Sequence, residues 1–246
     1  MRKNIFVSII VVLSILLLSA CGDDKEEEAT EDGEEMELPE PSVDDVPDVV
    51  AEVNGEEILK DEFVDTYTSL FMNEAMQAQL SGAEVDEEEL KLNVVEGMIG
   101  NELLTQKAEE KGYEAEDEDV DEILDNLVEQ NGLETTEDLF SALEEQGLDE
   151  EEVRTQLSMQ VKIDKLIAEE TGDFKPSEEE LMAAYEQMKE QQAQMAEGED
   201  VDEEEFPSFD EMKDDLTSQL VSQKENEVAE ELIEELRDDA DITIHL

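Results

Sequence analysis

The stretch Val49–Phe63, VVAEVNGEEILKDEF, decides the fold. Val49, Ala51 and Val53 alternate along a first arm, and Glu57, Ile58 and Leu59 return along a second. Between them Asn54-Gly55 supplies the two positive-φ positions that a tight hairpin turn needs, which makes this a hairpin signal with a mechanism. From Asp61 the apolar period lengthens to that of a helix. Phe63, Tyr67, Leu70 and Phe71 are expected on one inward face, with Ser81-Gly82 closing the element.

Six further helices follow from the same grammar. The second runs over about Asp86–Lys111 and turns Leu92, Val95, Met98, Ile99 and Leu103 inward before Gly112. The third covers Asp117–Gln130 on Val120, Ile123, Leu124, Leu127 and Val128. A short fourth lies near Thr136–Gln146, with Thr136 as its expected cap and Gly147 as its stop. The fifth spans Asp149–Glu170, the sixth opens at Pro176-Ser177 and reaches Ala196, and the seventh occupies Ser208–Arg237.

After the seventh helix Asp241–Leu246 reads DITIHL, with Ile242, Ile244 and Leu246 alternating with Thr243 and His245. Its neighbours in sequence are helical, so its backbone groups need a distant partner. The hairpin arms are the other strand candidates. The expected fold is mainly α: a multi-helix domain with a small β-sheet formed by the N-terminal hairpin and the C-terminal strand, the helices packing on one face.

The chain has 77 Asp and Glu against 15 Lys and Arg over 246 residues, a formal net charge of -62. Phosphate binding requires a basic face, so nucleic acid is excluded as a partner class. Charge of this size opposes compaction, and salt relieves it. The excess reads as a solvated surface suited to a saline or alkaline medium.

At the amino terminus Arg2 and Lys3 precede an apolar run over Ile5–Leu18 and then Leu18-Ser19-Ala20-Cys21. The run is shorter than the roughly 20 residues of a membrane span and has the flanks of a signal peptide. Leu18–Cys21 resembles the bacterial lipobox, which implies cleavage before Cys21 and acylation of its thiol and new amine by palmitate-like chains. Cys21 is the single cysteine, so disulfides and cysteine metal sites are excluded. The expected division is a lipoprotein signal peptide over 1–20, an acidic disordered tether over 21–48, and a folded domain over 49–246. The localisation that follows is extracytoplasmic, lipid-anchored to the cell membrane.

Five stretches, taken together, are similar to a known family: VVAEVNGEEILKDEF, GMIGNELLTQKAEEKGYEAEDEDVDEIL, LEEQGLDEEEVRTQLSMQVKIDKLI, KPSEEELMAAYEQ and the segment from Phe209 to Leu246. Their order resembles the amino-terminal chaperone domain shared by SurA-like periplasmic chaperones and PrsA-like foldase lipoproteins. In that family a parvulin-type prolyl isomerase domain sits between the helix ending in AYE and the last helix. This chain has Lys189–Pro207 there, a short acidic loop that cannot close a core of its own. The resemblance therefore implies a chaperone or foldase module without its isomerase.

No residue set reads as catalytic. His245, the one histidine, falls out of phase with Ile244 and Leu246 and is expected on the exposed face. Asp117, Asp119 and Asp121 alternate as in a calcium loop, but Glu122 and Val128 stand where that loop needs glycine and a bidentate glutamate, so the helical reading wins and no metal site is assigned. No cofactor is expected. Phe71, Met72, Met76 and Met188 are the candidate client-facing residues, because flexible thioethers suit surfaces that accept varied apolar partners.

The expected function is an ATP-independent chaperone, or holdase, for unfolded or extended secreted polypeptides. The alternatives are an isomerase-related foldase using a reduced site in Lys189–Pro207, an adaptor lipoprotein with one dedicated envelope partner, and a cation-buffering surface protein.

Overall fold

The computed structural model describes residues 39–144, 148–195 and 206–246. The leader, Cys21, the tether as far as residue 38, the end of the fourth helix and most of the acidic loop lie outside them. The order of elements is β1 (Val49–Val53), β2 (Glu56–Leu59), α1 (Lys60–Ser81), α2 (Glu87–Glu110), α3 (Asp117–Gln130), α4 (Thr136–Glu144), α5 (Glu150–Thr171), α6 (Glu178–Met195), α7 (Phe209–Asp239) and β3 (Ile242–Ile244). Among the described residues no helix is long and apolar enough to cross a membrane. The chain divides into two compact units, with boundaries between Leu103 and Leu104 and between Asp238 and Asp239.

One unit holds the sheet. Its strand order is β2-β1-β3, with both pairings antiparallel, so the C-terminal strand docks on the hairpin as expected. Asn54 (φ 56°) and Gly55 (φ 95°) form the two-residue turn, both in the left-handed region. The alternation along β1 is shifted by one irregularity. Between Val49 and Ala51 the register with β2 slips, leaving Val50 as an extra residue. Val50, Ala51 and Val53 are consequently buried and Val49 is not, because a bulge lets two consecutive side chains leave the strict two-residue period.

α1 packs against this hairpin. Phe63, Tyr67, Phe71 and Ala75 form its buried stripe at four-residue spacing. Phe63 stacks on Tyr67 with centroids 5.7 Å apart, and Tyr67 meets Phe71 at 5.9 Å. Leu70, expected inward, is 44% exposed, and Leu92 on α2 is 51% exposed. The α1 stripe, at pure four-residue spacing, is narrower than the wide apolar arc assumed for that helix. Ser42 and Tyr67 both donate to the Glu87 carboxylate, at 3.0 and 2.9 Å, and the Lys60 ammonium donates to the Val46 carbonyl at 2.9 Å. The end of the segment read as tether is thereby laid on the folded unit, with Val46 buried.

The other unit is helical. Val120, Leu124, Val128, Leu139, Leu143, Val153, Leu157 and Val161 form one core among α3, α4 and α5. A second gathers Leu104, Ala108, Ile163, Leu166 and Ile167 against Leu232, Ile233 and Leu236 of α7. The acids are put to structural use at helix starts. Asp149 accepts from the Glu152 N–H at 2.9 Å while Glu152 accepts from the Asp149 N–H at 3.2 Å. Ser177 with Glu180 repeats the arrangement, and at the start of α7 the Ser208 N–H and hydroxyl both donate to the Glu211 carboxylate. For α4 the cap is Thr135, whose hydroxyl accepts from the Asp138 N–H at 3.2 Å, one residue ahead of the expected Thr136. Asp117–Gln130 is helix throughout, with Asp119 bonded to Lys165 and Asp121 to Arg154, so the alternating aspartates serve capping and ion pairs.

Candidate functional site

From Thr66 to Ser81, sixteen residues of a chain that is 37% charged, the only charged side chain is Glu74. The window is the body of α1. Successive residues of a helix are offset by about 100°, so Met72, Met76 and Leu80, at i, i+4 and i+8, share a face. That face is turned about 100° from the buried Tyr67–Phe71–Ala75 stripe. Met72 is 40% exposed, Met76 56% and Leu80 86%. The acid coating is suspended where an apolar ridge meets solvent.

α1 is held firmly from behind. The Tyr67 hydroxyl donates to Glu87, and the Lys91 ammonium lies 5.6 Å above the Tyr67 ring. Burial and the neighbouring Glu87 carboxylate push the Tyr67 phenol far above its ordinary range, so it remains a neutral donor. Lys91 also pairs with Asp45 at 3.3 Å. At the far end Gly82 takes a left-handed conformation (φ 72°), and its N–H closes the helix on the Ala78 carbonyl.

The four residues chosen from sequence divide. Met72 and Met76 are on the ridge. Phe71 is 1% exposed, so it belongs to the core: one residue along a helix turns the side chain by about 100°, enough to move it from the open face to the buried one. Met188 is half-buried on α6, in the other unit. On that helix the Tyr185 hydroxyl donates to the Pro207 carbonyl at 2.9 Å, and its ring packs on Phe206 and Phe209. Leu80 was missed, although the i, i+4, i+8 spacing and the lack of charge announce it. His245 is exposed, and its backbone N–H donates to the Val50 carbonyl at 2.9 Å as part of the sheet.

The helical unit has a shallow groove of about 650 Å³ beside α5, lined by Glu109, Glu150, Arg154, Ser158, Met159 and Lys162. Its cations are engaged: Arg154 with Asp121 and Glu150, Lys162 with Glu109. The groove is thus a seam of ion pairs that ties α5 to its neighbours.

No curated protein matches the chain. Residues 1–167 match the family of the SurA-like N-terminal domain, a range that includes the hairpin, α1 with its exposed ridge, and most of α5. With about two thirds of its length inside that match, the chain belongs to the SurA-like N-terminal domain family.

Proposed function

We propose that the protein is an ATP-independent holdase: a lipoprotein anchored outside the cytoplasmic membrane through Cys21 that shields extended apolar segments of secreted or envelope proteins. Family membership supports chaperone-like work in protein folding. The observation that carries the reading is the exposed Met72–Met76–Leu80 ridge inside the charge-poor window of α1. Shielding requires apolar area and fast release rather than chemistry, so no catalytic residue is assigned.

The magnitudes suit that task. Full burial of one such side chain is worth about 1.5–3 kcal/mol. Three of them, already partly covered, leave a weak and reversible contact once ordering costs are met. Methionine can repack against differing clients. The surrounding negative charge favours neutral or basic clients and keeps the loaded complex in solution.

Methionine oxidation footprinting of the protein from Gly22 onward tests the reading. Several unrelated denatured clients are expected to protect Met72 and Met76 from peroxide. Unchanged oxidation of both with every client would count against the ridge as the seat, and protection by one client alone would favour a dedicated partner.

A further inference from the structure

The sheet has two edges, and they are not alike. On β2 the exposed Glu56 and Glu57 guard the outer edge with charge, a common defence of a free strand. β3 has no such side-chain guard: Ile242, Thr243, Ile244, His245 and Leu246 follow one another without a side-chain carboxylate. Ile244 is 37% exposed and Leu246 40%.

The backbone pattern says which groups face out. Asn54 N–H donates to the Asp241 carbonyl at 2.8 Å and His245 N–H to the Val50 carbonyl at 2.9 Å. Bonded pairs alternate with non-bonded pairs in an antiparallel ladder. Ile242 opposite Val53 and Ile244 opposite Ala51 are therefore non-bonded pairs, and their N–H and C=O groups point away from β1. Among the described residues β3 has β1 as its single strand neighbour. Two donors and two acceptors thus stand at two-residue spacing, about 6.8 Å, which is the template for one more antiparallel strand.

We propose that this edge takes an extended, basic or neutral segment of a client polypeptide as a fourth strand, with client side chains lying beside Ile244 and Leu246. The proposal rests on the holdase reading and adds its mode and its preference. A second copy of the chain is disfavoured as the occupant because it brings another -62 charges, whereas Asp239 and Asp241, which lead into the edge strand, complement lysine and arginine. Strand addition draws affinity from the main chain and selects through alternate side chains, so it suits clients that share no sequence.

The test uses the protein from Gly22 onward and a fluorescent nine-residue peptide of alternating valine, threonine and lysine. Its twins are one N-methylated at every residue, so that neither of its edges can donate, and one with glutamate for lysine. Methylation removes at least two hydrogen bonds of about 1 kcal/mol each, so binding is expected to weaken by tenfold or more. The glutamate peptide should bind more weakly at low salt. Ile244→Pro removes an outward N–H while leaving the bonds to β1 in place, and should weaken the parent peptide about fivefold. Amide exchange at Ile242 and Ile244 should slow when the parent peptide is added to the unmutated protein, a readout that does not depend on the variant folding.

Equal binding of parent and methylated peptides, or unchanged exchange at both amides, would overturn the edge. Concentration-dependent dimerisation that Ile244→Pro abolishes would overturn the choice of occupant. If the edge fails while clients still protect Met72 and Met76, the holdase reading stands. If peptides add to the edge while no client is held, that reading fails alone.

Discussion

Asn54 and Asp241, 187 residues apart, hold each other twice: the Asn54 N–H donates to the Asp241 carbonyl at 2.8 Å, and the Asn54 Oδ1 accepts from the Asp241 N–H at 2.9 Å. Asn54 does this while occupying the left-handed region that the turn requires. One side chain therefore closes the hairpin and fixes the start of β3.

Asn54→Ala should cost about 2 kcal/mol, half from the left-handed conformation and half from the lost acceptor. Asn54→Gly, which accepts that conformation, should cost about 1 kcal/mol. Thermal unfolding separates them, since 1 kcal/mol moves Tm by about 2–4 °C in a chain of this size. Equal losses for the two variants would mean that the turn strain is absent.

Met76→Glu and Leu80→Glu should leave Tm within the small range usual for surface changes, about 0.5 kcal/mol, while reducing client protection. Phe71→Ala should behave in the opposite way, with a loss of about 3–5 kcal/mol from a buried aromatic. Light scattering of an aggregating client beside a melting curve reads both. A Met76→Glu protein that holds clients as well as the parent would remove the ridge from the function.

Glu225 and Asp164 should contribute a loss of stability as pH rises through the carboxylate range toward their raised folded values. Glu225 on α7 is 4% exposed and its Oε2 lacks a hydrogen-bond partner. Burial raises its pKa above the ordinary 4.5, and the Asp164 carboxylate on α5 adds to the rise. Burial likewise raises Asp164 above 3.8, against the bond it accepts from Gln160 at 2.7 Å. The folded protein keeps these protons to a higher pH than the unfolded chain does, so stability is fullest below the unfolded values and declines up to the folded ones. Glu225→Gln should raise Tm at pH 8 and leave it nearly unchanged at pH 4.

Raising NaCl from 0.05 to 1 M should raise Tm. The screening length falls from above 10 Å to about 3 Å, which removes most of the repulsion among exposed acids. It also weakens pairs such as Lys111 with Glu169 and Glu170, but exposed pairs contribute about 1 kcal/mol at most. A falling Tm would mean that the ion pairs outweigh the repulsion.

Periodicity and turn chemistry made most of the fold readable. Asn54-Gly55 announces the hairpin, the alternation at Ile242–Leu246 announces a strand with a distant partner, and the apolar period places α3 at about Asp117–Gln130, where it lies. Where one extra residue decides the outcome the sequence is mute, as at Val50, because a bulge carries no compositional mark. Leu70 and Leu92 look like core residues by type alone, and only the packing shows that both are left exposed. Glu225 could not be picked out among 77 acids, since burial of a carboxylate depends on what α5 places against it. The ridge was half legible: methionines at the right spacing marked Met72 and Met76, while Phe71, which its period places on the inward face, does not belong with them.

The most direct measurement follows aggregation of a chemically denatured client and a proline-limited refolding trace in the same high-salt sample containing the protein from Gly22 onward. Suppressed aggregation of several unrelated clients, with the isomerisation rate unchanged, is the expected result for a holdase without an isomerase. Failure to suppress any of them, or an accelerated isomerisation phase, would contradict it.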